Sequence, residues 1–100
     1  METMTREWVI ATLRRANPNA RLQDLSLYAS HFCDFAQADA NVLRNGGITL
    51  HPRSGAPIKN PYLDQKEKAT KALTGFRLHT EELWRVYAQQ IASISKEKDQ

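Results

Sequence analysis

His31 and Cys33 are the first residues whose types suggest chemistry, since an imidazole beside a thiol is the unit of a nucleophilic pair. They lie two positions apart in a stretch with helical patterning. Two steps along a helix turn a side chain by about 200°, so the pair points to opposite sides. No ligand spacing for a metal surrounds them. His51 and His79 stand alone, and no GxSxG, HExxH or Walker loop occurs. Asp24, Asp34 and Asp39 fall along one expected helix without identifiable ligand partners. Asp24, near that helix's start, suits the helix dipole. The residues therefore read as a non-enzyme, with no catalytic set, no metal and no cofactor.

The second chemistry on offer is the capture of polyanions. The chain has 100 residues and a net charge of +3, but the charge is unevenly placed. Residues 1–43 and 78–100 are each slightly acidic. Residues 44–77 hold Arg44, Arg53, Lys59, Lys66, Lys68, Lys71 and Arg77 against only Asp64 and Glu67. Clustered cations attract phosphate chains because binding releases counterions. Arg53 and Lys59 lie in HPRSGAPIKNP, which holds three of the four prolines, and they are expected to lack a local acidic partner. Lys66 sits at the edge of an apolar face. Lys68 and Lys71 follow Asp64 and Glu67 by four residues, the spacing of helix-supporting ion pairs. Arg77 falls in a linker and ranks second. Arg14 and Arg15 close a helix, where cations suit the dipole. The candidate DNA-binding set is Arg53, Lys59, Lys66, Lys68, Lys71 and Arg77.

Four helices must position these groups. Thr5 caps a first helix over about 6–16, with Trp8, Val9, Thr12, Leu13 and Ala16 on one face, and Asn17-Pro18-Asn19 stops it. A second and longest helix spans about 23–44. Leu25, Tyr28, Phe32, Phe35 and Val42 repeat at helical spacing, Asp39 interrupts the seam, and Asn45-Gly46-Gly47 ends it. Residues 47–60 form an irregular loop or a short β-ribbon, with Ile48 and Leu50 alternating with polar neighbours and Pro52-Arg53-Ser54-Gly55 as a turn. Asn60-Pro61 opens a third helix over about 61–74, with Tyr62, Ala69, Ala72, Leu73 and Phe76 on its apolar face. A fourth runs over about 81–95, with Leu83, Trp84, Tyr87, Ala88, Ile91 and Ile94 as its stripe. A helix-turn-helix reader is disfavoured, because Glu81 and Glu82 at its N-terminus would repel phosphate. The fold class is all-α, in one domain over 1–95 with a frayed tail at 96–100. Leu25, Tyr28, Phe32, Phe35, Trp84, Tyr87 and Ile91 are expected in the core or in an interface between copies.

No apolar run approaches the roughly 20 residues of a membrane span. The opening METMTREW lacks the pattern of a signal peptide. One cysteine allows no internal disulfide. These point to a cytosolic protein that does not enter a membrane.

The order of features carries a resemblance. A Trp-led helix precedes a long helix with Asp24-Leu25 and Tyr28-Ala29. A GG break follows, then HPRSGAPIKNPYLDQ, the Ala-rich KEKATKAL, and GFRLHTEELW. From about Trp8 to Trp84 this resembles the small subunit of phage terminases, in the short helical class whose third helix opens on an Asn-Pro pair. Gly55 matches the loop glycine, and Asn60 and Pro61 match the loop-to-helix junction. Many members continue with a Gly-Leu-Thr-Pro-like turn and a Ser-x-Arg, where this chain reads GFRLHTEELW. The resemblance implies a non-enzymatic adaptor in the host cytoplasm that recognises double-stranded viral DNA and passes it to a large subunit carrying ATPase and nuclease. It also implies a homo-oligomeric ring. The alternative is a small helical interaction or scaffold module that binds no DNA. A monomeric repressor is a third reading, distinguished by a small particle mass and a short specific operator.

Overall fold

A computed structural model describes residues 4–98, with side chains through Ser93. The chain is predominantly helical and carries one small antiparallel sheet. Its elements are α1 (Arg6–Ala16), α2 (Leu22–Asn45), β1 (Ile48–Leu50), β2 (Pro57–Lys59), α3 (Tyr62–Leu73) and α4 (Glu81–Lys98). Between the two forms left open for residues 47–60, the structure takes the ribbon. Helix α4 continues to Lys98, beyond the end expected at 95. Of the tail expected to fray, residues 99–100 lie outside the described residues.

The punctuation works as physical chemistry requires. Thr5 accepts a hydrogen bond from the Trp8 amide at 3.1 Å, which satisfies one of the free N–H groups of α1. Asn17 ends α1 through its own amide, bonded to the Leu13 carbonyl at 2.8 Å. Gly46, at φ 81, ends α2 in a conformation that a side chain would resist.

Helix α2 is the spine, about 36 Å long at 1.5 Å per residue. α1 and α3 pack along it, and α4 packs on both α1 and α2. Val9, Leu13, Leu25, Tyr28, Ala29, Phe32, Leu73, Leu83 and Tyr87 form the buried core. Phe35, Trp84 and Ile91 are partly buried against it. Most of the expected apolar residues thus lie in or on the core, but Ala16, Val42, Tyr62 and Ala72 are half-buried outside it, Ala88 faces solvent, and the Ile94 side chain falls outside the described residues. Ala88 is exposed because the buried stripe of α4 is narrow, running through Leu83 and Tyr87.

The centre of the core is aromatic. Phe32 meets Trp84 at 4.9 Å and Tyr87 at 5.5 Å between ring centroids, and Phe35 meets the same two rings at 5.4 and 5.7 Å. All four contacts are edge-on, the arrangement that ring quadrupoles favour. Trp84 donates its indole N–H to the Tyr28 hydroxyl at 3.0 Å. Asp39, which interrupts the apolar seam in sequence, accepts from the Tyr87 hydroxyl and pairs with Lys66 at 2.9 Å. One carboxylate therefore joins α2, α3 and α4.

Asn17 has a second role. Its side-chain amide donates to the His79 carbonyl at 2.9 Å and accepts from the His79 amide at 2.8 Å. This pins the linker between α3 and α4 to the end of α1. Arg15 pairs with Glu82 beside it, at 3.3 Å. The molecule measures 51 × 29 × 18 Å, and the ribbon leaves from the C-terminal end of the spine.

Candidate nucleic-acid interface

The ribbon is built on Asn60. This side chain is 1% exposed. Its amide donates to the Gly46 carbonyl at 2.9 Å and to the Asn41 side chain at 3.0 Å, while its oxygen accepts from the Tyr62 amide at 3.0 Å. The last of these is the cap of α3, as Asn60-Pro61 predicts. The first two tie the same residue to the end of α2. The Asn60 amide completes the base by bonding the Gly47 carbonyl at 2.8 Å.

From that base the strands pair in the register Ile48–Lys59, Thr49–Ile58 and Leu50–Pro57. The His51 amide bonds the Ala56 carbonyl at 2.8 Å, and the Gly55 amide bonds the His51 carbonyl at 2.9 Å. Gly55 sits at φ 71, which only glycine adopts readily. The His51 ring nitrogen Nδ1 accepts from the Arg53 amide at 3.1 Å and the Ser54 amide at 3.3 Å. The turn is thus ordered by its own backbone together with the His51 ring and the Ser54 hydroxyl. Every residue from His51 to Pro57 is exposed. Arg53 stands at the tip, and no carboxylate pairs with it among the described residues.

The other candidates divide. Lys59 has an ion pair with Asp64 at 3.0 Å, so the expectation that it lacks a local partner is corrected. The turn into α3 brings Asp64 back beside β2, five residues on. The hydrogen bond that Lys59 donates to the Asp64 carboxylate raises its ammonium above the ordinary range. Asp64 is then not the partner of Lys68, and that expected i,i+4 pair does not form. The second expected pair does, with Lys71 and Glu67 3.2 Å apart. Lys66 is held by Asp39 and lies over the Phe35 ring at 5.9 Å, so its charge belongs to the core. Lys68 lines a groove of about 510 Å³ between α2 and α3, which it shares with His31, Asp34 and Asp64. Arg77 is exposed in the linker after α3. The ribbon joins the opposite end of that helix, about 18 Å away along its axis. The structure therefore does not gather the six residues into one site.

It does add one. Arg44, in the last turn of α2, lines a groove of about 280 Å³ with Gln37, Ala40, Asn41, Asn45 and Tyr62. This groove adjoins the ribbon base through Asn41, and no carboxylate lines it. Its signal in the sequence is a gap. Between Asp39 and Asp64 the chain contains Arg44, Arg53 and Lys59 and no acidic residue. Grooves and turns lined by amides and free guanidinium groups suit phosphate and base edges.

His31 and Cys33 form no pair. The Cys33 thiol is pushed up, chiefly by burial and then by Asp34, which lowers its reactivity. Among the described residues no three His, Cys, Asp or Glu side chains group as metal ligands, and no helix is long and apolar enough to cross a membrane. Compared with protein-family models, with curated proteins and with solved structures, the chain matches none.

Proposed function

We propose that this protein is a DNA-binding adaptor of a phage genome-packaging motor, a terminase small subunit, without catalytic activity of its own. It binds double-stranded viral DNA and delivers it to a large subunit that cuts and pumps it. The observation that carries this reading is the acid-free stretch at residues 40–63, folded into an ordered ribbon with Arg53 at its exposed tip and Arg44 at its base. The order of sequence features shared with the terminase class supports it.

Capture is electrostatic. Each copy brings few cations, so a single copy binds weakly. A ring of copies raises the effective concentration of ribbons along one duplex, and avidity supplies the affinity. Lys59 contributes less than Arg53, because Asp64 already neutralises it.

The test is duplex binding measured against salt, together with particle mass by light scattering. A multi-copy particle is expected, with affinity that falls steeply with salt at a slope of about 0.9 per phosphate neutralised. Replacing Arg44 and Arg53 by Glu should remove most binding. A monomer whose duplex affinity is untouched by that double reversal sinks the reading. The exposed Ile48 and Leu50, at 64% and 68%, favour a second reading, a protein-interaction module without DNA. It predicts salt-insensitive behaviour and loss of a protein partner when those two residues are made polar.

A further inference from the structure

The ribbon has a face that charge does not explain. The pairing register puts Ile48 beside Lys59 and Leu50 beside Pro57, all four on one side. All four are exposed, with Ile48 at 64% and Leu50 at 68%. Thr49 and Ile58, on the other side, are half-buried. Two of the ribbon's three large apolar side chains, Ile48 and Leu50, therefore point into solvent, while Ile58 turns the other way. A lone exposed leucine is ordinary, but three apolar residues clustered on a projecting ribbon are not. Arg53 stands at the tip beyond them and Arg44 lies four residues before Ile48, neither in an ion pair among the described residues. Lys59, beside Ile48, is already paired with Asp64. The occupant that fits has an anionic rim and an apolar interior.

We infer that this ribbon is a minor-groove wedge. Its Ile48–Leu50–Pro57 face is inserted against opened base steps of duplex DNA, with Arg53 leading into the groove, so that the bound duplex is bent. The inference rests on the DNA-binding reading above and specifies its mode. The chemistry of the face, not its width, selects the groove. Two paired strands lie about 4.8 Å apart, and side chains make the ribbon wider than an unopened minor groove of about 6 Å. Apolar side chains open that groove by unstacking base steps, and Ile, Leu and Pro are among the residues used. The major groove, at about 12 Å, admits a ribbon without distortion. A ribbon reading it would present polar side chains to the base edges, whereas this face offers only Lys59. Flexible pyrimidine–purine steps such as TA cost least to open, so the wedge prefers duplexes that contain them.

The experiment uses the full chain and an end-labelled duplex of about 30 base pairs, with bending read by energy transfer between the ends. The wild-type protein should bend it by an angle within about 20–90°, and netropsin, which occupies the minor groove, should compete. Ile48→Ser with Leu50→Ser should abolish the bend and weaken binding about tenfold. The salt slope should stay unchanged, because no cation is lost. Both residues are exposed, so circular dichroism should show an intact fold. Arg53→Ala should instead lower the salt slope by about one. A duplex that is bound but straight, or a bend that survives the double serine change, overturns the wedge and leaves the DNA-binding reading standing. The wedge is equally overturned if the double change alters particle mass but not DNA binding, since the face then meets a second copy. Loss of binding to anionic vesicles with DNA binding intact has the same consequence. No duplex binding by the wild-type protein overturns both readings together.

Discussion

Lys66 and Arg53 are both cations of the same basic segment, and the structure uses them in opposite ways. Lys66 lies on α3 against the aromatic seam, where Asp39 holds it at 2.9 Å and Phe35 lies beneath it. Arg53 lies on a turn whose backbone bonds are complete without its side chain. In the first region Asp39, Tyr87, Lys66 and Trp84 all have polar partners, which offsets the cost of drawing them from water. In the second, the backbone and the His51 and Ser54 side chains complete the turn, and the Arg53 guanidinium is left over. A count of charges along the sequence treats the two alike, and only the folded neighbourhood separates a charge that holds the fold from one that can meet a ligand.

The sharpest way to break this contrast is to damage each region and compare. Phe32→Ala should cost about 3–5 kcal/mol in urea unfolding, as a fully buried ring leaves a cavity. Leu50→Ser, on the ribbon, should change stability by less than about 0.5 kcal/mol. Equal costs would show that the ribbon face is covered. Asn60→Ala should cost about 3 kcal/mol, because it strands the Gly46 carbonyl, the Tyr62 amide and the Asn41 side chain at once. Amide exchange should report it as accelerated opening of β1 and β2.

Asp39→Ala should cost about 2 kcal/mol, less than a fully buried pair, because Lys66 can turn to water. The same network sets a pH dependence. Burial first, and then the bond to Asp39, raises the Tyr87 hydroxyl far above the ordinary tyrosine range. The folded state then keeps a proton that the unfolded state loses. Stability is therefore full below a pH of about 10 and falls as pH rises beyond it. Thermal melts of Tyr87→Phe against wild type should show a shallower alkaline decline in the variant. The smallest effect belongs to Lys71→Ala, which removes an exposed helix pair worth about 0.2–0.5 kcal/mol. It should also leave duplex affinity nearly unchanged, whereas Arg53→Glu should reduce affinity while leaving stability within about 0.5 kcal/mol.

Much of the frame was legible because it is local. The ends of α1, α2 and α3 fall within one residue of where caps, glycines and prolines put them. Asn60 announces α3 through nearest-neighbour chemistry. The apolar stripes named the core because helical periodicity fixes which side chains share a face. Pairings across the fold were not legible. Asp64 follows both a strand and a turn, and nothing in its own spacing says that it returns to Lys59 rather than serving Lys68. Asp39 could be seen only as an interruption until α4 brought Tyr87 to it. Arg44 was counted in the basic segment but left out of the site, although the absence of any acidic residue from 40 to 63 marks it. Asn17 read as a helix stop, and its grip on His79, 62 residues away, belongs to tertiary structure alone.

Asn60 also has a mechanical consequence. The ribbon is a cantilever, and its fixed end is this one residue, clamped to α2 through Gly46 and Asn41, to α3 through Tyr62, and by its backbone amide to Gly47. Any load on the tip reaches the body as torque on the far end of α2, a stiff rod of about 36 Å that passes through the aromatic seam. A pull on Arg53 would therefore be felt at the seam, where α1, α3 and α4 all rest on the same rod.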